Sequence, residues 1–309
     1  MAAACPVPDR SCLYRAHVLL MLLMLAMGCN SAPPAGESEG RLVVVVTLTP
    51  QVEFVEKIGG DLVHVVLMVP PGASPHTYEP TPSQMRELVS ASAYFKVGSG
   101  VEFETAWLDK LLGVNPSLPV IDGAAGIELI GETHDEDEPP EDEIQRHAGT
   151  DPHVWLSPVY AKRMVENLAA GLAEVDPDNS GKYRANADAY LAELDELDTY
   201  IRQKFEGRTD RTFLTYHPSF TYLAHEYGLN QLGIEHEGKE PTPQVLRKAI
   251  ADARVHGLAF VFVNPQSSAR NAETVARELD GAIRPLDPLP RAYVTDMRIL
   301  ADALTEEFS

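Results

Sequence analysis

Leu42-Val43-Val44-Val45-Val46-Thr47-Leu48 is the stretch on which the fold turns. It is an unbroken, β-branched apolar run with no polar alternation. That is the pattern of a strand covered on both faces, as in parallel sheets flanked by helices. The chain downstream agrees. A short helix is expected over 51–58, stopped by Gly59-Gly60, and a second strand over 62–69. Residues 70–80 hold too many prolines for helix or ladder and read as a rigid loop at a strand end. Thr81-Pro82 opens a helix, after which strand (94–97), helix (103–112) and strand (119–122) keep the alternation going.

Past residue 157 the pattern turns helical. A helix over 158–174 is broken by Asp176-Pro177-Asp178, and the longest helix of the chain is expected over 179–205. Tyr183, Ala187, Tyr190, Leu194, Leu197, Ile201 and Phe205 make one apolar stripe on it, at steps of mostly four and three. At ~1.5 Å per residue it is a rod of roughly 40 Å. Strand and helix then alternate again, with strands over 211–216, 230–234, 258–263 and 283–286. The expected fold is α/β, with two lobes that are each a parallel sheet flanked by helices, joined by one long rigid helix. Its expected bounds are 41–156 for the first lobe, 157–206 for the helices and 207–309 for the second lobe.

The N-terminus reads as an export signal over 1–28. Arg10 and Arg15 precede an apolar core, VLLMLLMLAM at 18–27, which is too short for a span of roughly 20 residues. Ala26-Met27-Gly28-Cys29 resembles a bacterial lipobox, so Cys29 is the expected lipidation site and 29–40 a tether to the membrane. Cys5 and Cys12 leave with the signal, so neither a disulfide nor a cysteine metal site is expected. The formal charge of -21 excludes nucleic acid as a partner and suits a metal cation.

Residues 131–158, GETHDEDEPPEDEIQRHAGTDPHVWLSP, divide in two. The first part holds eight carboxylates from Glu132 to Glu143, with His134 among them and His147 after them, and reads as a solvated acidic loop. A weak auxiliary metal role is expected for those two histidines. The second part, Asp151-Pro152-His153-Val154-Trp155-Leu156, is short, apolar and stiff. It runs into Ser157-Pro158, expected to open a helix with Ser157 as N-cap.

His76, His153 and His217 share one setting, each beyond a strand or in a proline-bounded loop, and Asp287 follows the last strand. Sites in open parallel sheets form outside the carboxyl ends of the strands. Three imidazoles and a carboxylate make a tetrahedral donor set suited to zinc. His64, inside an apolar strand, reads as a packed or edge residue; His225, His236 and His256 lack a ligand-like setting.

Four motifs carry a resemblance: PPGASPHTYEPTP around His76, DPHVWLSP around His153, YHPSFTYL around His217 and LDPL around Asp287. Together, and in this order over nearly the whole mature chain, they resemble the zinc/manganese solute-binding proteins of ABC importers. The resemblance implies a metal site in the cleft between two lobes, with His76 and His153 from the first and His217 and Asp287 from the second. It implies an extracytoplasmic, high-affinity zinc receptor, not an enzyme, that works as a monomer and delivers Zn2+ to a membrane permease. Manganese-selective relatives tend to carry a carboxylate in place of His217, which favours zinc over Mn2+. Asn264 departs from the glutamate of many relatives, and Pro218 from an acid. The alternatives are a manganese receptor of the same family, a metal-dependent adhesin, or a zinc hydrolase should one ligand position be open.

Overall fold

The computed structural model describes residues 40–131, 149–235, 241–266 and 270–308. The valine run forms β1 (Leu42–Val46), and its last three residues are buried. Then come α1 (Thr49–Gly59), β2 (Val63–Leu67), α2 (Pro82–Val89), β3 (Ala93–Lys96), α3 (Glu102–Val114) and β4 (Val120–Asp122). All pairings are parallel, in the order β2-β1-β3-β4. The second half repeats the plan with β5 (Thr212–Thr215), α6 (Thr221–Tyr227), β6 (Asn230–Gly233), α7 (Pro243–Val255), β7 (Phe260–Val263), α8 (Arg270–Glu278), β8 (Ala282–Pro285) and α9 (Tyr293–Thr305). Its order, β6-β5-β7-β8, is again all parallel. Two sheets of one topology are present, although the sequence shows no internal repeat.

Between them run α4 (Pro158–Val175) and the 26-residue α5 (Ser180–Phe205). The buried residues of α5 are the seven of the predicted stripe. Its length lets it bond elements of both halves. Tyr190 donates to Glu53 on α1, Asn186 donates to the Ile58 carbonyl, and Tyr200 donates to Asp302 on α9. One core spans both sheets, with Val44–Val46 and Phe95 from the first and Phe213 and Phe262 from the second in a single cluster. Leu214, Val261 and Val263, which alternate with those aromatics along their strands, form a smaller core on the other face. Losing a buried leucine of the stripe, such as Leu194 or Leu197, would cost about 2–5 kcal/mol.

Local chemistry sets the element ends. Thr81 caps α2 as expected, accepting from the Gln84 N–H while Gln84 bonds back to it. Ser157 does not cap in this way. Its backbone carbonyl takes the first bonds of α4, from Tyr160 and Ala161, but its hydroxyl is buried without a partner. Pro158 at the first position and the buried turn before it set that start instead. β5, β6 and β7 are one or two residues shorter than the runs that predict them, and β8 has the expected length but starts one residue earlier.

Candidate metal centre

Each of the three histidines is set by a different local device. His76 lies in the proline loop after β2, with its backbone N–H on the Ser74 hydroxyl at 3.4 Å. Its Nδ1 is 2.8 Å from Glu102 Oε1, in the first turn of α3. His153 precedes a 3-10 turn, Val154–Leu156, whose three side chains are all buried in the core. Asp151 Oδ1 accepts the His153 backbone N–H at 2.8 Å and faces its Nδ1 at 2.9 Å. His217 follows β5 in a tight turn closed by the Ser219 N–H on its carbonyl, with Glu235 Oε2 3.7 Å from its Nδ1.

A carboxylate thus faces Nδ1 of all three rings. For His76 and His153, at hydrogen-bond distance, this orients the ring and leaves Nε2 as the atom available to a cation, whereas Glu235 stands beyond hydrogen-bond reach of His217. The hydrogen bond to Glu102 raises the His76 pKa above the ordinary value. Burial pushes the Glu102 and Asp151 carboxyls up, but the imidazoles beside them prevail and hold both below their usual range.

The rings converge on a cavity of about 30 Å³, whose lining includes His76, His153, His217, Glu102, Asn264 and Gln266. His217 is central, its ring centre 5.2 Å from that of His76 and 5.4 Å from that of His153. Imidazole nitrogens about 2.0–2.1 Å from a tetrahedral ion put ring centres about 5.2 Å apart, so this spacing suits rings that share one ion. The donor atoms have not closed to that geometry: among the described residues no set of three or more His, Cys, Asp or Glu side chains holds it. Rotation of a side chain brings a nitrogen inward without moving the backbone. Three buried polar atoms at this cavity, His217 Nε2, Asn264 Oδ1 and Gln266 Oε1, lack hydrogen-bond partners. Buried orphans of this kind point to a guest.

Asp287 is not in that lining. It is exposed at the rim of a neighbouring cavity of about 350 Å³, beyond β8. Its Oδ1 accepts from Gln266 Nε2 at 3.1 Å and from the Leu289 N–H at 3.0 Å. Gln266 lines both cavities and so stands between Asp287 and the histidines. Cys29, His134 and His147 lie outside the described residues. His64 is exposed on β2, an edge strand, and His256 pairs with Asp210 at 2.8 Å. Sequence reasoning missed the three carboxylates that face the rings. Asp151 carried a signal, two residues before a candidate ligand, whereas Glu102 and Glu235 are far from their partners in the chain.

A family model described as zinc-uptake complex component A, periplasmic (ZnuA), matches residues 44–307. The high-affinity zinc uptake system protein ZnuA of Bacillus subtilis is 32% identical over 272 residues, 87% of this chain and 85% of that protein. The zinc-binding lipoprotein AdcA of Streptococcus pneumoniae is 28% identical over 88% of this chain, which spans only 54% of that longer protein. A crystal structure of a ZnuA deletion mutant with zinc bound superposes with a TM-score of 0.79 and 38% identity, covering 87% of this chain and 98% of the other.

Proposed function

The chain belongs to the periplasmic zinc-uptake component A family, and from that premise we propose that it captures zinc outside the cytoplasm and delivers it to an ABC import permease. One observation carries the reading: three imidazoles around one small cavity, each with Nδ1 facing a carboxylate. His76, His153 and His217 are the proposed donors. Asp287, next to them across Gln266, is the proposed fourth, reached by a shift of its loop. Neutral imidazoles favour zinc over manganese, which prefers oxygen donors and higher coordination. Protons compete for the same nitrogens, so binding weakens as pH falls through the histidine range.

Export and a lipid anchor at Cys29 accord with AdcA, a relative named as a lipoprotein. Mass spectrometry of membrane-extracted protein tests the anchor; a soluble product with unmodified Cys29 counts against it. For the metal, calorimetry on the mature chain should show one tight zinc per molecule, kept against an equal concentration of manganese. Retention of manganese instead would move the reading to the manganese receptor. A cobalt-loaded form with an exchangeable water and ester-hydrolysing activity would move it to a hydrolase.

A further inference from the structure

Tyr222 is the second residue of α6, the helix that follows His217. Its hydroxyl accepts the Ile130 backbone N–H at 3.0 Å and donates to the Asp151 carbonyl at 3.0 Å. Thr221, beside it, has its side chain close enough to the Asp151 carboxyl to help hold it below its usual range. The Asp151 carboxylate holds both the backbone N–H and Nδ1 of His153. A continuous run of hydrogen bonds therefore leads from α6 to the His153 ring, which belongs to the other half of the chain. The segment it starts from also carries His217, four residues before Thr221.

The anchor is rigid. Tyr222 is fully buried, and Tyr160 meets its ring edge-on at 5.2 Å. His76 is placed differently: it is exposed, on the proline loop, and its ring is turned toward Glu102. Donors fixed in advance carry less ordering cost into the binding step.

We propose that Tyr222 is a positioning residue: its hydroxyl fixes Asp151, and so His153, against the segment bearing His217, so that two imidazoles are seated before a cation arrives and His76 closes the set. This rests on the zinc-capture reading for its purpose, but the seating itself exists without metal. The turn after His153 is independently buried in the core, so removing one hydroxyl leaves the fold in place.

The test compares Tyr222→Phe with Tyr160→Phe, which removes a hydroxyl from the same aromatic pair without touching Asp151. Two quantities are measured: zinc affinity by calorimetry, and the His153 imidazole signals in the zinc-free protein by 1H–15N correlation spectroscopy. Tyr222→Phe should weaken zinc binding by about tenfold and should broaden or split the zinc-free His153 signals. Tyr160→Phe should match the parent on both. Parent-like affinity and a single parent-like His153 signal in Tyr222→Phe would overturn the proposal. Should Tyr222→Phe fail to fold, Tyr222→His, which keeps a buried ring but withdraws the phenol from the Asp151 carbonyl, should move both readouts in the same direction; no movement overturns the proposal. A parent protein that binds no zinc would end the capture reading, while the zinc-free spectra would still decide whether Tyr222 seats His153.

Discussion

Trp155 donates its indole N–H to the Pro288 carbonyl at 2.7 Å. Tyr293, at the start of α9, donates its hydroxyl back to the Trp155 carbonyl at 2.6 Å. Trp155 sits two residues after His153, with ring centres 5.3 Å apart, and Pro288 is the residue after Asp287. One side chain thus ties the turn that places His153 to the loop that bears Asp287.

Trp155→Phe keeps an aromatic ring in this buried position but strips the Pro288 carbonyl of its donor. Leaving a buried acceptor unpaired costs about 1–3 kcal/mol. The midpoint of urea unfolding should fall accordingly, with an unchanged slope, and zinc affinity should drop as the His153 turn loosens. An unmoved midpoint would mean that the indole bond contributes nothing to holding the two loops together.

Replacing the histidines one at a time by alanine should weaken zinc binding by at least about 100-fold each, or about 2.7 kcal/mol. His217 should be the most costly, since its ring neighbours both of the others. Asp287→Ala should cost less, about tenfold, because this exposed carboxylate lies outside the histidine cavity and water can take its place. Chelator competition ranks the four. Parent affinity in a histidine variant would remove that residue from the site.

How far these features were legible depends on whether they are local. The valine run, the proline punctuation and the α5 stripe are short-range patterns, and each became the element it predicts. The three histidines were found because each sits in its own proline-bounded motif. Glu102 and Glu235 were not found, because a carboxylate that faces a ring distant in the chain has no spacing to betray it; only the fold brings α3 to the loop after β2. Ser157 shows the converse error. The Ser-Pro pair correctly marks a helix start, but burial denies the hydroxyl its usual capping role. The position of Asp287 depends on a loop held by Gln266 and Trp155, which no local pattern records.

Glu104 on α3 supplies a pH test away from the candidate donors. It is buried, and its carboxyl accepts the Thr47 hydroxyl at 2.5 Å and the Val97 and Gly98 N–H groups at 2.6 and 3.0 Å. Burial, the largest influence, nevertheless holds its pKa above the ordinary value of 4.5. For a carboxyl raised on folding, the stabilising contribution is complete below the unfolded pKa and is lost as pH rises through the folded one. Glu104→Gln removes this titration. Stability of the parent relative to Glu104→Gln should therefore decline as pH rises from the acid side of 4.5 through the raised value. Urea unfolding of both proteins across about pH 4 to 8 measures it, and a difference that stays constant with pH would contradict it.

The acidic segment is the last test. Its ends are closed by contacts among described residues. Gly131 bridges Thr150, the Asp151 N–H donates to the Ile130 carbonyl at 3.0 Å, and Tyr222 bonds both Ile130 and Asp151. Deleting residues 132–145 removes all eight carboxylates and His134 while leaving this closure and the Asp151–His153 pair. Tight zinc binding should therefore be unchanged. If the carboxylates serve capture, they do so by raising the local cation concentration, an effect screened beyond roughly 8 Å in physiological salt. Stopped-flow capture of zinc should accordingly slow in the deletion at low ionic strength and converge with the parent as salt rises. Any weak second zinc site contributed by His134 and His147 should vanish from the calorimetric trace. Equal capture rates at low salt, with equal stoichiometry, would leave the segment as a spacer between Gly131 and Thr150; a large loss of tight binding would show instead that the segment supplies part of the site.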